Sequence, residues 1–260
     1  MSDRNFDDLA HRFRNRIYGG LKGDIRLAVL NRDMAPVLAE REGELHIVDA
    51  GGGQGQFAMD LAGAGHRVHL ADISAQMLEQ AAAQCALRGL EGRVTLVHKS
   101  LQELPDQREL CNADLVLCHA VLEWLAEPRQ ALECLQKLLK PGGYLSLTFY
   151  NRRALEYRLL QRGSFRQLDR NIESSNWGGH PGSLTPQNPL LLEWVEDWLA
   201  QVGLEVVAHS GIRCFHDFMT PHIREKLPAA AIVDKELAYS RVDPYRQLAR
   251  YIHLLCRAPL

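Results

Sequence analysis

The sequence predicts an α/β domain: a doubly wound, mostly parallel seven-stranded sheet with N-terminal helices and two insertions. Three observations predict it. From about residue 44, short apolar runs of strand type alternate with helical segments, the pattern of parallel βαβ units covered on both faces. A glycine-rich loop, VDAGGGQGQ at 48–56, directly follows the first of these strands. A late LKPGG turn separates the last core helix from a fifth apolar strand.

Each element can be justified in order. Residues 5 to 40 read as helical. ELHIVDA is a short buried strand, and QFAMDLAGAG is a helix stopped by glycine. HRVHLAD and SAQMLEQAAAQCALRGL form the second strand and helix, and RVTLVHKS the third strand. ADLVLCHAVLEWL begins as a fourth strand and turns helical. PRQALECLQKLLKPGG is a helix stopped by Pro141 and Gly142, and YLSLTFYN is the fifth strand. PLLLEWVEDWLAQVG is a further helix, followed by the strands LEVVAHSGIRCF and ARYIHLLCRAP. The regularity lapses at 151–188 and 216–246, which read as insertions at the ligand-binding end of the sheet. The organisation expected is one domain over 1–260, with a helical segment at 1–43 and a ligand-binding core at 44–150.

Composition excludes several classes. The net charge of -2 leaves no overall polyanion-binding character, so any nucleic-acid contact must be a local patch. The six cysteines form no CxxC pair, and there is no HExxH, so neither a zinc site nor a disulfide framework is expected. Scattered cysteines and a polar N-terminus without a secretory apolar region suit the cytoplasm. No apolar run of about 18 residues is present.

The glycine loop admits two nucleotide readings. The dinucleotide pattern GxGxxG fails: counting from Gly51 and Gly53, its third glycine falls on Gln56. The pattern acidic-x-G-x-G-x-G is met by Asp49, Gly51, Gly53 and Gly55. It is the pattern of class I, Rossmann-like methyltransferases, whose cofactor is S-adenosylmethionine. Asp49 is expected to help order the loop and the cofactor's amino group. Asp72 ends the second strand, where a carboxylate can accept from both ribose hydroxyls. Leu101 and Gln102 follow the third strand, at the adenine position, and His119 ends the fourth.

Larger stretches carry a narrower resemblance. NFDDLAHRFRNRIYGGLKGDIR, LADISAQML, CHAVLEWLAEPRQAL, LKPGGYLSLTFYN, GIRCFHDF and PYRQLARYIHLLCRAP together resemble the bacterial tRNA 5-carboxymethoxyuridine methyltransferase family. The likeness runs from residue 3 to about 259 and is weakest in the insertions. It implies an enzyme that uses S-adenosylmethionine to esterify the carboxylate of 5-carboxymethoxyuridine at the tRNA wobble position. It further implies that Arg26 reaches the cofactor, whose carboxylate a guanidinium can hold bidentately. Gly51, Gly52, Gly53, Asp72, Leu101, Gln102 and His119 are the remaining implied cofactor contacts, with Asp49 beside them.

A carboxylate of pKa about 4 is already ionised at neutral pH, so no general base is needed. No catalytic residue is expected beyond those that position the reactants, no metal is called for, and the rate should vary little between about pH 6 and 8. The arginine-rich stretch after the fifth strand places Arg158, Arg162, Arg166 and Arg170 at every fourth residue, with Tyr157, Phe165 and Trp177 nearby for stacking. Helical continuity, which Gly163 and Ser164 oppose, would align these arginines as a platform for the tRNA anticodon stem-loop. Tyr150, Asn151, Arg213 and His216 are the candidates for touching the modified base or its carboxylate, and Arg246 and Arg250 for the RNA backbone. The rival reading is a small-molecule carboxyl or oxygen methyltransferase with an incidental arginine stretch.

Overall fold

A computed structural model describes residues 3, 20–40, 43–178, 186 and 188–260. Its sheet has seven strands: β1 (His46–Ala50), β2 (Arg67–Asp72), β3 (Val94–His98), β4 (Ala113–His119), β5 (Leu139–Tyr150), β6 (Glu205–Ile212) and β7 (Tyr251–Arg257). Their order is β3-β2-β1-β4-β5-β7-β6. The five core strands pair in parallel, and β7 runs antiparallel between β5 and β6. The chain therefore reverses direction across the sheet between β1 and β4, and loops from both halves meet there at the carboxyl ends of the strands. Such a crevice is where open α/β sheets bind ligands.

Two apolar clusters cover the faces. On one, Ile25, Val29, Leu30 and Met34 of α1 (Leu21–Ala39) pack with α2 (Gln56–Gly63) and α3 (Ala75–Arg88) against Ile47, Leu70, Leu115, Leu117 and Leu255. On the other, α4 (Pro128–Leu138) and α7 (Leu192–Gln201) cover Val48, Val116, Leu145, Leu147 and Leu254. Successive residues of β4 (Leu115, Val116, Leu117) and of β7 (Leu254, Leu255) thus face opposite layers, as the period of a strand requires. Ser74 starts α3 by accepting from the Met77 amide at 3.2 Å, a side-chain cap.

Three expectations are corrected. The helix before the fifth strand ends at Leu138, and Pro141–Gly143 belong to β5. The register shifts there, and a Cβ on Gly143 would lie 2.9 Å from two backbone carbonyls, so the prolyl-glycyl pair builds a bulge against β4. The turn after β4 is a short 3-10 segment, Leu122–Trp124, rather than a longer helix. The second insertion, which holds α8 (Pro221–Lys226) and α9 (Ala229–Tyr239), lies only partly at the ligand end: α9 packs on α1. The first insertion holds α5 (Arg152–Gln161) and α6 (Phe165–Ser174). The helical reading of 5–19 lies outside the described residues. No helix among the described residues is long and apolar enough to cross a membrane.

Candidate active site

The glycine loop turns sharply out of β1. Gly51, Gly53 and Gly55 all have positive φ (75°, 56° and 70°). A Cβ on Gly51 would lie 2.6 Å from Val121 Cγ2 in the loop after β4, and one on Gly52 would lie 2.5 Å from the Asp49 carboxylate. Gly51 and Gly52 are therefore held between the β4 loop and a buried acid, where only a residue without a Cβ fits.

Asp72 orders this loop. One carboxylate oxygen accepts the Gly53 amide at 2.8 Å and the other the Ser74 amide at 2.8 Å. Its place at the carboxyl end of β2 suits a carboxylate that accepts from ribose hydroxyls. We expect Asp72→Ala to weaken cofactor binding at least tenfold by calorimetry, because it removes both the ribose acceptor and the loop clamp. Unchanged affinity would remove this role.

Asp49 does not order the loop by hydrogen bonding. It lies beneath Gly52, 5% exposed. Burial, and then the neighbouring Asp72 charge, push its carboxyl up to about 7. Glu123, in the β4 loop, is 1% exposed and neither of its oxygens has a hydrogen-bond partner. Burial pushes it up to about 7 as well, against the opposing pull of its own backbone amide, the Arg26 charge and the Tyr150 backbone amide. Cys118 feels both acids, which places them around one point. Two underneutralised buried carboxylates beside a buried arginine suit a ligand bearing cationic groups and one carboxylate.

Arg26 is 3% exposed and its guanidinium lies 4.8 Å from the Tyr251 ring centre. Leu101 is buried in the apolar layer behind β1 and β4. Gln102 is exposed, and its amide nitrogen donates to Asp3 at 2.9 Å. His119 donates to or accepts from Ser146 Oγ at 2.9 Å.

A second cluster adjoins this pocket at the ends of β5, β6 and β7. Arg250 stacks over the Tyr150 ring at 4.7 Å, and Tyr150 meets Tyr251 edge to face at 5.3 Å. Arg213 lies 5.6 Å from the Tyr251 ring, so Tyr251 joins it to Arg26. Asp217 bonds Arg213 at 2.7 Å and lies 3.7 Å from Arg250. Burial opposes that charge, but the His216 bond and the two arginines hold Asp217 well below the usual carboxylate range. Burial and the Arg250 charge hold Arg158 below its ordinary value, which places it at the same cluster. Tyr150 Oη, Arg213 Nε and Arg250 Nε are buried donors without hydrogen-bond partners. Burial keeps the Tyr150 phenol protonated, pushed up to about 12.

Two predicted substrate residues are used up structurally. Asn151 is fully buried: it accepts the Arg153 amide and donates to the Gln247 and Ala249 carbonyls, capping α5 and tying it to β7. His216 is 2% exposed and bonds Asp217 at 2.9 Å, which commits its Nδ1 to supporting the cluster. The reason is Glu236, which gathers the Cys214, Phe215 and His216 amides and draws that turn into the fold. The arginine stripe is also divided. α5 ends at Gln161, Gly163 turns with φ 64°, and α6 begins at Phe165. Arg158 is half-buried, whereas Arg162, Arg166 and Arg170 are exposed. Trp177 is 4% exposed under Arg152 and cannot stack on a base, whereas Phe165 is 59% exposed.

Known proteins narrow the reading. Residues 48–145 match a methyltransferase domain family. The tRNA 5-carboxymethoxyuridine methyltransferase of Escherichia coli (strain K12) is 38% identical over 260 residues, covering 100% of this chain and 98% of that protein. The chain belongs to that family. The magnesium protoporphyrin IX methyltransferase from Synechocystis PCC 6803, solved with bound SAH, superposes with a TM-score of 0.63 at 18% identity, covering 97% of this chain and 96% of that one. A Haloferax volcanii methyltransferase solved with its Trm112 activator gives 0.63 at 18% identity over both full chains. At these identities the likeness is one of fold: the sheet is that of class I methyltransferases.

Proposed function

We propose that this protein binds S-adenosylmethionine and methylates the carboxylate of 5-carboxymethoxyuridine at the wobble position of tRNA, giving the methyl ester. The observation that carries the reading is the cluster of Arg158, Arg213, Arg250 and Tyr150 beside Arg26, with three buried donors that have no hydrogen-bond partner. Buried donors of this kind seek an anion, and Asp217 faces several cations. A substrate carboxylate fits there.

Arg26 would hold the cofactor's carboxylate, Asp72 its ribose, and Asp49 with Glu123 its cationic end. When bound, the cofactor supplies an electrophilic methyl group on a sulfonium. The chain contributes alignment. Tyr150 and the arginines orient the nucleophilic oxygen, and Tyr251 spaces the two ligands. Positioning of this kind is worth roughly 7–11 kcal/mol. No side chain has to remove a proton from an ionised carboxylate. The carboxylate loses charge as the ester forms, so contacts with the arginines favour binding over the methyl-transfer step itself.

The anticodon stem-loop would lie across α5 and α6. Arg162, Arg166 and Arg170 meet phosphates there, and the exposed Phe165 and Tyr157 offer rings to unpaired bases. Replacing those three arginines by alanine should raise KM for tRNA and reduce the slope of log affinity against log salt by about 2. An unchanged slope would take the RNA off this surface.

The function is tested with labelled S-adenosylmethionine and two tRNA pools, one bearing 5-carboxymethoxyuridine and one lacking it. Base-labile label in the first pool alone is expected. Label on neither pool, with the cofactor bound, would direct the search to small carboxylates.

A further inference from the structure

Two arginines stand side by side where β6 and β7 meet the ligand end of the sheet. The antiparallel pairing of Ile212 with Tyr251 continues one residue further, and the Arg250 amide donates to the Arg213 carbonyl at 3.1 Å. Like charges directly opposite each other on paired strands repel. One oxygen of Asp217 serves both: it accepts from Arg213 at 2.7 Å and lies 3.7 Å from Arg250 Nε. Arg213 also has a φ of 62°, the left-handed region that a residue other than glycine keeps only when its surroundings hold it there.

Glu236 holds it there. This side chain is fully buried on α9, and its carboxyl group collects three successive backbone amides. One oxygen accepts Cys214 at 2.7 Å, and the other accepts Phe215 at 3.1 Å and His216 at 2.7 Å. Consecutive amides can converge on one carboxyl group only if the chain curls, and here the curl begins directly after Arg213. It brings Asp217 back to Arg213 and carries Phe218 on to Tyr157 of α5, with ring centres 5.3 Å apart.

The helix that carries Glu236 is itself fixed to the sheet. Arg32 of α1 donates to the Leu237 carbonyl at 2.9 Å and to Ser240 Oγ at 2.7 Å. The Ser240 carbonyl accepts the Gly211 amide of β6 at 2.7 Å. Arg241, just past the helix, bonds Asp33 of α1 at 2.7 Å. Asp33 in turn bonds His253 of β7 at 2.8 Å, and His253 lies 2.9 Å from Ser146 of β5. The sheet places α9, and α9 places the turn.

We propose that Glu236 is a positioning residue for the substrate carboxylate: by fixing the turn after β6, it sets where the Arg213 guanidinium stands beside Arg250. This inference rests on the reading of that cluster as the carboxylate site. A carboxyl group is suited to the task, because both of its oxygens accept. Glutamine has one acceptor oxygen, enough for the Phe215 and His216 amides, and its NH2 would face the Cys214 N–H. The deficit then falls on the amide next to Arg213.

The test uses the full chain and anticodon stem-loops with and without 5-carboxymethoxyuridine. Glu236→Gln should raise KM for the carboxylated RNA about tenfold, the scale of coupling within one hydrogen-bond network. Affinity for the unmodified RNA and for S-adenosylhomocysteine should hold, and so should kcat per cofactor-binding protein. Arg213→Ala should cause a selective loss of the same kind, and adding Glu236→Gln to it should cost nothing more, because Glu236 acts through that arginine. A merely structural role would lower the fraction of protein that binds cofactor and leave KM unchanged. Hydrogen exchange of the wild type needs no variant: the Cys214, Phe215 and His216 amides should be protected as strongly as those of β6. Rapid exchange there, an unchanged KM, equal losses for the two RNAs, or additive losses in the double variant overturns the proposal and leaves the carboxylate reading intact. Wild-type protein with no preference for the carboxylated RNA removes that reading, and this inference with it.

Discussion

Asp49→Asn should make the ligand-free protein more stable at pH 8 and its hold on the cofactor weaker. The buried Asp49 carboxyl is raised to about 7, from an ordinary value near 4. The sign follows from proton linkage. The folded state keeps the proton over a range in which the unfolded chain has released it. Stability from this group is complete below about pH 4 and is lost as pH rises through about 7. At pH 8 the folded protein therefore carries an unfavourable charge costing on the order of a few kcal/mol. Asparagine keeps the shape beneath Gly52 without that charge. Thermal unfolding of the variant should occur about 5 °C higher at pH 8, with the advantage gone at pH 4.

Cofactor binding moves the other way. A ligand with cationic groups selects the ionised form, so wild-type affinity should fall about tenfold from pH 8 to pH 6, and Asp49→Asn should be weak and flat across that range. Glu123, also raised to about 7, contributes in the same direction, and Glu123→Gln separates the two acids. At saturating cofactor, kcat should stay flat from pH 6 to 8, because the nucleophile is ionised throughout. The pH dependence then sits in KM for the cofactor. Calorimetry at three pH values decides it: affinity independent of pH removes Asp49 and Glu123 from the cationic end of the site.

The glycine loop and the acid that clamps it were legible because their signal is local. Glycines at fixed spacing after a strand, and an acid at the end of the next strand, are short-range patterns imposed by backbone geometry. Asp72 and the loop stand where the spacing put them, and Asp72 rather than Asp49 makes the loop hydrogen bonds. The sheet was legible for the same reason, except at the bulge of Pro141–Gly143, where tertiary pairing with β4 overrides the turn signal. The substrate side was not. Position after a strand does not say which way a side chain faces, so Asn151 and His216 looked available and are buried. Arg250 looked like a backbone contact and stacks on Tyr150 at the centre of the cluster. Asp33, Ser146 and His253 carry no sequence pattern, because three distant segments meet only in the folded sheet.

Arg250→Ala should abolish the preference for carboxylated RNA. In the wild type, an anticodon stem-loop bearing 5-carboxymethoxyuridine should bind about 10- to 100-fold more tightly than the same RNA with unmodified uridine, the range for a buried, charge-assisted hydrogen bond. Truncating Arg250 leaves Asp217 with Arg213 as its hydrogen-bonded arginine and exposes the Tyr150 ring. Losing one partner of a buried charge pair costs about 2–5 kcal/mol, and the loss should fall mainly in KM for the RNA, since arginine contacts stabilise the charged ground state. Tyr150→Phe should act differently. Its phenol is a neutral donor, kept protonated by burial, and can bond the oxygen both before and after methylation. Its removal should lower kcat/KM about tenfold and leave more of the loss in kcat. Neither variant should alter affinity for S-adenosylhomocysteine, because neither side chain is assigned to the cofactor. Filter binding with the two RNAs and steady-state kinetics make the distinction. If Arg250→Ala keeps the wild-type preference, the carboxylate lies elsewhere; if it loses affinity equally for both RNAs, Arg250 serves the phosphate backbone.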